Sequence, residues 1–280
     1  PGELVGEVAQ AGGGLLAAFP LAYAIVLPAL YAPLIAMLLG LVFRGVAFEF
    51  RWRDPAHRHF WDVSFCAGSI VAALSQGIVL GALLQGIAVE GRAYAGGWWD
   101  WLTPFSLATG VSVVIGYALL GASWLIWKTD GPLHEQARRI ARPLLLGLLL
   151  AIAVVSAWTP FLEAQYYRRW FEWPGVLAAA QMPLMVTVVA IFTWRAIGKG
   201  RDWLPFLLAL ALFGLTMIGL GISIWPDVVP GAVTIWEAAA PERSQVFMLI
   251  GAGILIPIIL AYTVWAYWVF RGKVDEAGYH

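Results

Sequence analysis

Charge is what this chain of 280 residues has least of. Only 12% of its residues are Asp, Glu, Lys or Arg, about half the share in an average soluble domain. That scarcity, with 61% hydrophobic residues and a mean hydropathy of +0.79, excludes a soluble globular enzyme. No sign of charge dominates: 17 basic residues balance 17 acidic ones, so nothing favours nucleic acid as a partner. Cysteine is nearly absent. A single Cys66 rules out a disulfide framework, a four-cysteine zinc site and a cysteine-held iron–sulfur cluster. Histidine occurs four times (His57, His59, His134 and His280), always outside the apolar stretches. Tryptophan is in excess, with 16 copies, as suits a protein with two membrane–water interfaces where indole rings settle.

A bilayer crossing takes about 20 apolar residues. Seven stretches qualify: Leu15–Phe43, Val63–Val89, Thr103–Trp127, Pro143–Leu162, Pro174–Trp194, Trp203–Trp225 and Gln245–Phe270. None contains an Asp, Glu, Lys, Arg or His. A membrane β-barrel would instead alternate polar and apolar residues over about ten positions. The expected fold is therefore an all-α integral membrane helix bundle of about seven transmembrane helices, forming one domain over residues 1–280. Lys and Arg distribute thirteen to four between alternate connections. By the positive-inside rule, connections 44–62, 128–142 and 195–202 and the C-terminus are expected in the cytoplasm.

Charge-free spans also limit the chemistry. Ion-coupled transporters and proton pumps place ionisable groups near the midplane, and a retinal protein needs a lysine inside a span. Met37, Met182, Met185, Met217 and Met248 read as packing residues. His57, His59 and Asp62 lack the further ligands of a metal site. Catalytic, cofactor-binding and metal-ligating residues are accordingly expected to be absent from this chain.

One periodic feature stands out. Ser69, Ala73, Gly77, Gly81 and Gln85 recur every four residues along the second stretch, a stripe of small residues that lets two helix backbones approach closely. It fits packing within the chain or a seam against a partner subunit. Gln76 falls on the opposite face, where a helix–helix hydrogen bond is expected. Pro20, Pro28, Pro33, Pro183 and Pro257 interrupt spans, and such kinks either adjust packing or open a groove for an isoprenoid, a lipid or a gas.

Ten segments, in order, resemble subunit II of the cytochrome bd quinol oxidases. They are Gly-Gly-Gly-Leu-Leu-Ala-Ala-Phe-Pro-Leu-Ala-Tyr-Ala (12–24), Phe-Arg-Gly-Val-Ala-Phe-Glu-Phe-Arg (43–51), Gly-Ser (68–69), Gln-Gly (76–77) and Gly-Ala-Leu-Leu-Gln-Gly (81–86). Thr-Pro-Phe (103–105), Lys-Thr-Asp-Gly (128–131), Thr-Ile-Trp-Glu-Ala-Ala (234–239), Ile-Pro-Ile-Ile-Leu-Ala-Tyr-Thr (256–263) and Val-Phe-Arg-Gly-Lys-Val (269–274) complete the series. The resemblance implies a bacterial inner-membrane, multi-pass subunit with a cytoplasmic C-terminus. It implies a haem-bearing partner, subunit I, which carries haems b and d and oxidises quinol while dioxygen is reduced to water. This chain would ligate no haem, stabilise subunit I, form half of a pseudo-twofold pair and contribute to access routes. A structural quinone, lipids and a small accessory subunit are further associates that the family suggests. Its eight helices, against seven spans here, imply a helix upstream of the first stretch.

The chain departs from the family at one place. The Trp-Asp-Gly-Asn motif usual there is not in register, and Gly2 falls where its acid would stand. Glu3 and Glu7, four residues apart and so on one helical face, are the substitute candidates for a proton relay. The alternative functional class is a multi-span transporter of an uncharged or lipid-like small molecule; a bare scaffold is a third reading.

Overall fold

The computed structural model describes residues 13–173, 175–198 and 201–269. Glu3 and Glu7 lie outside the described residues. Among the described residues, seven helices are long and apolar enough to cross a membrane. They are α1 (Pro20–Arg53), α2 (Arg58–Leu84), α3 (Pro104–Lys128), α4 (Gly131–Trp158), α6 (Gly175–Gly198), α7 (Leu204–Ile224) and α9 (Glu242–Val269). The connections hold two antiparallel hairpins and two short helices. Strands β1 (Val89–Glu90) and β2 (Ala93–Tyr94) follow α2, and helix α5 (Ala164–Phe171) follows α4. Strands β3 (Asp227–Val229) and β4 (Val233–Thr234) with helix α8 (Ile235–Ala238) follow α7.

Two helices extend ten or more residues beyond their apolar stretches. Helix α1 runs ten residues beyond Phe43 because its polar end pays for itself locally: Arg53 pairs with Glu49 one turn earlier, at 2.8 Å, and Arg51 pairs with Asp62 across the turn. The chain then turns at Asp54, before Pro55, which disfavours a helical conformation for the residue preceding it. Helix α4 starts twelve residues before Pro143, which sits inside it. Its first turns are amphipathic, with Ala137 and Ala141 buried, Arg138 half-buried and Arg139 exposed. By contrast α3 starts at its predicted boundary. Thr103 accepts from the Ser106 amide while the Ser106 hydroxyl accepts from the Thr103 amide, a reciprocal cap preceding Pro104 at the first helical position.

The packing forms two halves. Helices α1 and α2 cross where Gly40 meets Gly68: a Cβ on either would lie within 2.8 Å of the other's carbonyl oxygen. Their apolar faces and the hairpins bury Ala22, Ile25, Leu30, Ala82, Val229 and Val233 together. The second half is built from α3, α4, α6 and α7 around Leu119, Ile126, Ala141, Leu145, Ile197 and Leu212. Helix α9 buries none of its residues within the chain and is apolar all round, as befits a helix bathed in lipid or covered by another subunit.

Candidate functional site

The small-residue stripe of α2 joins the two halves. A Cβ at Gly77 would sit 2.5 Å from the Gly110 Cα and 2.6 Å from the Thr109 carbonyl oxygen. At Gly81 it would run into the Thr109 hydroxyl and lie 2.7 Å from the Ser106 Cα. The Thr109 hydroxyl is 2.8 Å from the Gly77 carbonyl oxygen, and Thr103 donates its hydroxyl hydrogen to Gln85 Oε1 at 2.5 Å. Ala73 is buried, and Ser69 donates to the carbonyl of Phe65 on its own helix. Along Gly77 and Gly81, α3 of the same chain fills the space the missing side chains leave. Gln76 does bond between helices, accepting from the Tyr117 hydroxyl at 2.8 Å.

A long concavity lies elsewhere. A cavity of about 640 Å³ runs between α4, α6 and α7. Its walls are apolar: Leu145, Leu149 and Ile152 on α4, Met182, Pro183, Val186 and Ala190 on α6, Leu215 and Leu220 on α7. Pro183 is one of the span-interrupting prolines. At one end Trp170 donates its indole N–H to the Ser223 hydroxyl at 3.0 Å, and Arg169 donates to the Ser223 carbonyl oxygen at 2.5 Å. The other end is bounded by Trp194 and Arg195. From Leu145 to Thr159 the α4 wall spans about 21 Å at the helical rise of 1.5 Å per residue, most of a bilayer's apolar depth.

Polar groups in this cavity are sparse and mostly committed. Thr159, Thr187, Thr216 and Ser223 each donate to a carbonyl one turn back on their own helix, at 2.7–2.9 Å. Ser156, Arg195 and the Trp194 indole carry the remaining side-chain donors of the lining. An occupant whose polar atoms only accept hydrogen bonds finds partners at these positions and apolar wall between them.

The chemistry-bearing residues of the sequence do not converge. His57 bonds to the Asp54 carboxylate at 3.0 Å in the turn between α1 and α2, while Asp62 is paired with Arg51. His134 sits against the carbonyls of Ile126 and Thr129. Among the described residues no three His, Cys, Asp or Glu side chains form a group able to hold a metal ion.

Over one end of the bundle the connections form a folded cover. The buried Tyr166 of α5 donates its hydroxyl hydrogen to the Leu84 carbonyl at 2.8 Å, at the end of α2. Burial, reinforced by the Glu163 and Asp227 charges, pushes its phenol well above the ordinary tyrosine range. Tyr94 is raised as well, by burial and by its hydrogen bond to Asp100. Thr234 and Glu237 form a second reciprocal helix cap, and the Thr234 amide and hydroxyl hold the Glu237 carboxyl below its usual range. The Ala240 amide reaches the Ala18 carbonyl at 2.8 Å, tying this cover back to the start of α1.

These features define a class: a multi-span α-helical membrane protein with a closely packed helix seam and a long apolar cavity. Comparison with known proteins places it within that class. The model of the family described as cytochrome bd terminal oxidase subunit II matches residues 9–270, and the chain belongs to that family of respiratory oxidases. It is 29% identical to cytochrome bd-I ubiquinol oxidase subunit 2 of Escherichia coli (strain K12), over 95% of this chain and 80% of that protein. It is 28% identical to cytochrome bd ubiquinol oxidase subunit 2 of Bacillus subtilis (strain 168), over 94% and 79%. The fold matches a chain of the bd oxidase from Geobacillus thermodenitrificans with a TM-score of 0.69, at 17% identity, covering 86% of this chain and 74% of that one. The protein is thus a multi-pass inner-membrane protein of a bd oxidase family.

Proposed function

We propose that this chain is the non-haem subunit of a quinol:dioxygen oxidoreductase, working as a single transmembrane domain beside a haem-bearing subunit I. The family match over residues 9–270 carries the reading. The absence of His from all seven apolar stretches supports assigning haems b and d to the partner, leaving this chain without a catalytic role of its own. Its part is to stabilise subunit I and to border access routes for substrates of quinol oxidation and dioxygen reduction. The unburied face of α9 supports a role in assembly. The thirteen-to-four division of Lys and Arg supports a cytoplasmic C-terminus.

A structural quinone fits the long cavity on chemical grounds. Its isoprenoid tail suits the apolar walls, and its ring oxygens, acceptors only, suit Ser156 or Arg195. When bound it supplies apolar filling between α4, α6 and α7.

Purification in mild detergent followed by a reduced-minus-oxidised spectrum tests the assignment. Haem bands are expected from a complex with a larger subunit and none from this chain alone. A colourless chain purifying without a partner would favour transport of an uncharged or lipid-like molecule instead. A relay role for Glu3 and Glu7 is tested by replacing both with Gln in the assembled oxidase. Oxygen consumption is expected to stay unchanged across pH 6–8, which would leave proton delivery to other groups.

A further inference from the structure

At the end of the bundle opposite the folded cover, α4 and α6 form a second, basic pocket of about 400 Å³, lined by Glu135, Arg138, Arg139, Arg142, Ile197 and Gly198. Three guanidinium groups outweigh one carboxylate there. Two of the three are fixed. Arg138 donates from Nε to the Ile197 carbonyl at 2.6 Å, satisfying one of the last carbonyls of α6 that the helix leaves unpaired. The Arg142 guanidinium lies over the Trp194 ring, 5.1 Å from its centroid, and a Cβ at Gly198 would come within 2.8 Å of its Nη2. Gly198 therefore leaves room for the guanidinium beside the helix end. With Arg138 Nε bonded to α6 and Arg142 held against Trp194, the remaining N–H groups supply the forked donors that bind phosphate oxygens well.

The position selects among phosphates. Within one to two turns along the same helices, both walls become apolar and outward-facing: Leu146 and Leu150 on α4 are 55% and 67% exposed, and Ile191 on α6 is 47% exposed. Trp194, 40% exposed, lies between the cationic and apolar parts, at the level where indole rings collect in a bilayer. A ligand held here has its anionic part on arginines and its apolar part along a membrane-facing strip. Basic pockets between transmembrane helices are recognised seats of anionic lipid headgroups.

We infer that Arg138, Arg139 and Arg142 form a specific site for the phosphate of a phospholipid of net negative charge, whose acyl chains lie along Leu146, Leu150 and Ile191. The excess of positive charge favours an anionic lipid over a zwitterionic one, in which the headgroup cation meets the same arginines. The arginine pocket shares no lining residue with the long cavity, whereas the acyl strip borders that cavity at Leu146, Ile191 and Trp194, so bound quinone is measured beside bound lipid.

The test uses the purified oxidase complex, or the chain as it purifies if it comes alone. Arg139→Gln/Arg142→Gln is compared with the wild type and with Arg58→Gln, a change on the same side of the bundle away from the pocket. Arg138 is left intact because it also caps α6. After exhaustive detergent washing, mass spectrometry of bound lipid is expected to find about one anionic phospholipid per wild-type and Arg58→Gln particle, and at least about fivefold less in the double variant. The haem spectrum should not change. Phosphatidylglycerol added to washed wild-type protein is expected to raise its melting temperature, an effect lost in the double variant and not produced by phosphatidylcholine. Equal retention in the double variant overturns the site. Equal stabilisation by phosphatidylcholine overturns the charge selectivity, and arginine-dependent stabilisation by inorganic phosphate alone reassigns the pocket to a soluble anion. If the double variant fails to fold, Arg142→Lys serves instead. Keeping the charge without the planar fork, it should hold the lipid more weakly; retention identical to wild type would overturn the geometry proposed.

Discussion

The two ends of the bundle meet water in opposite ways. At the end carrying the hairpins, helices stop close to their apolar boundaries, and short elements fold back over them through Tyr166, Arg169, Trp170 and Ala240. At the arginine-rich end, helices α1 and α4 run on past the apolar zone, and their charged turns face water with few tertiary bonds. Each end caps a neighbouring helix with an arginine: Arg169 serves α7 at the covered end and Arg138 serves α6 at the open one. Beyond that the logic diverges. A buried hydrogen bond is costly to break because its partner is left unsatisfied away from water, whereas an exposed ion pair loses little because water replaces it. Stability should therefore be concentrated at the covered end and in the seam beneath it, and the arginine-rich end should tolerate substitution.

The largest expected effect is at the seam. Gly81→Leu drives a side chain into Thr109 and Ser106 on α3, where even a Cβ has no room, and α2 and α3 must separate. Overpacking of this kind costs about 3 kcal/mol, so the folded yield in detergent should fall sharply and its thermal midpoint with it. An unchanged midpoint would mean that α2 and α3 do not pack at this distance. Next comes Tyr166→Phe, which leaves the Leu84 carbonyl without its partner. A loss of about 1–2 kcal/mol is expected, measured as a lower unfolding midpoint. Wild-type stability in this variant would show that the covered end is not held as described.

Much of this was legible in residue patterns, and the remainder has identifiable reasons for escaping. Seven charge-free stretches announce seven spans, because a charge in hydrocarbon is expensive. The ends of α1 and α4 escape the same test: hydropathy reports where lipid ends, while a helix continues as long as its exposed turns are satisfied by pairs such as Glu49 with Arg53. The hairpins were missed although turn signals are present. Gly91 and Gly231 adopt φ of 63° and 73°, a region that glycine enters at little cost, but strands of two or three residues carry no readable periodicity. The α2 stripe identified a close approach without identifying its partner, since spacing every four residues describes one surface and is silent about the other. For the long cavity the available signal was Pro183, with Thr187 donating to its carbonyl one turn on. The basic pocket had even less to announce it, because Arg138 and Ile197 are 59 positions apart in sequence.

A pH titration sharpens the comparison without changing a residue. Tyr94 and Tyr166, both at the covered end, have phenols raised above the ordinary value of 10.0. A raised phenol means that the folded state favours the neutral form. The stability this contributes is complete below about pH 10 and is lost as pH climbs through the raised folded value. Alkaline unfolding should thus begin at the covered end, with phenolate absorbance from these two residues lagging behind that of exposed tyrosines. In Tyr166→Phe the amplitude of the late-ionising component should drop; if all phenols titrate together near 10, the burial of this end is disproved.

The smallest effect is expected from the open end. Glu49→Gln removes the partner of Arg53 but leaves α1 otherwise intact. Both side chains are at least half exposed, at 50% and 70%, so the guanidinium is rehydrated at once and the i, i+4 attraction lost is worth at most about 0.5 kcal/mol. The unfolding midpoint should move by no more than a degree or two at low salt, and 0.5 M NaCl should erase the difference by screening the wild-type pair. Arg51 is the nearby control, since its pairing with Asp62 bridges α1 and α2. Arg51→Gln should cost more than Glu49→Gln and still less than Tyr166→Phe. A destabilisation by Glu49→Gln as large as that of Tyr166→Phe would overturn the division between the ends, because it would require this pair to be buried against another surface.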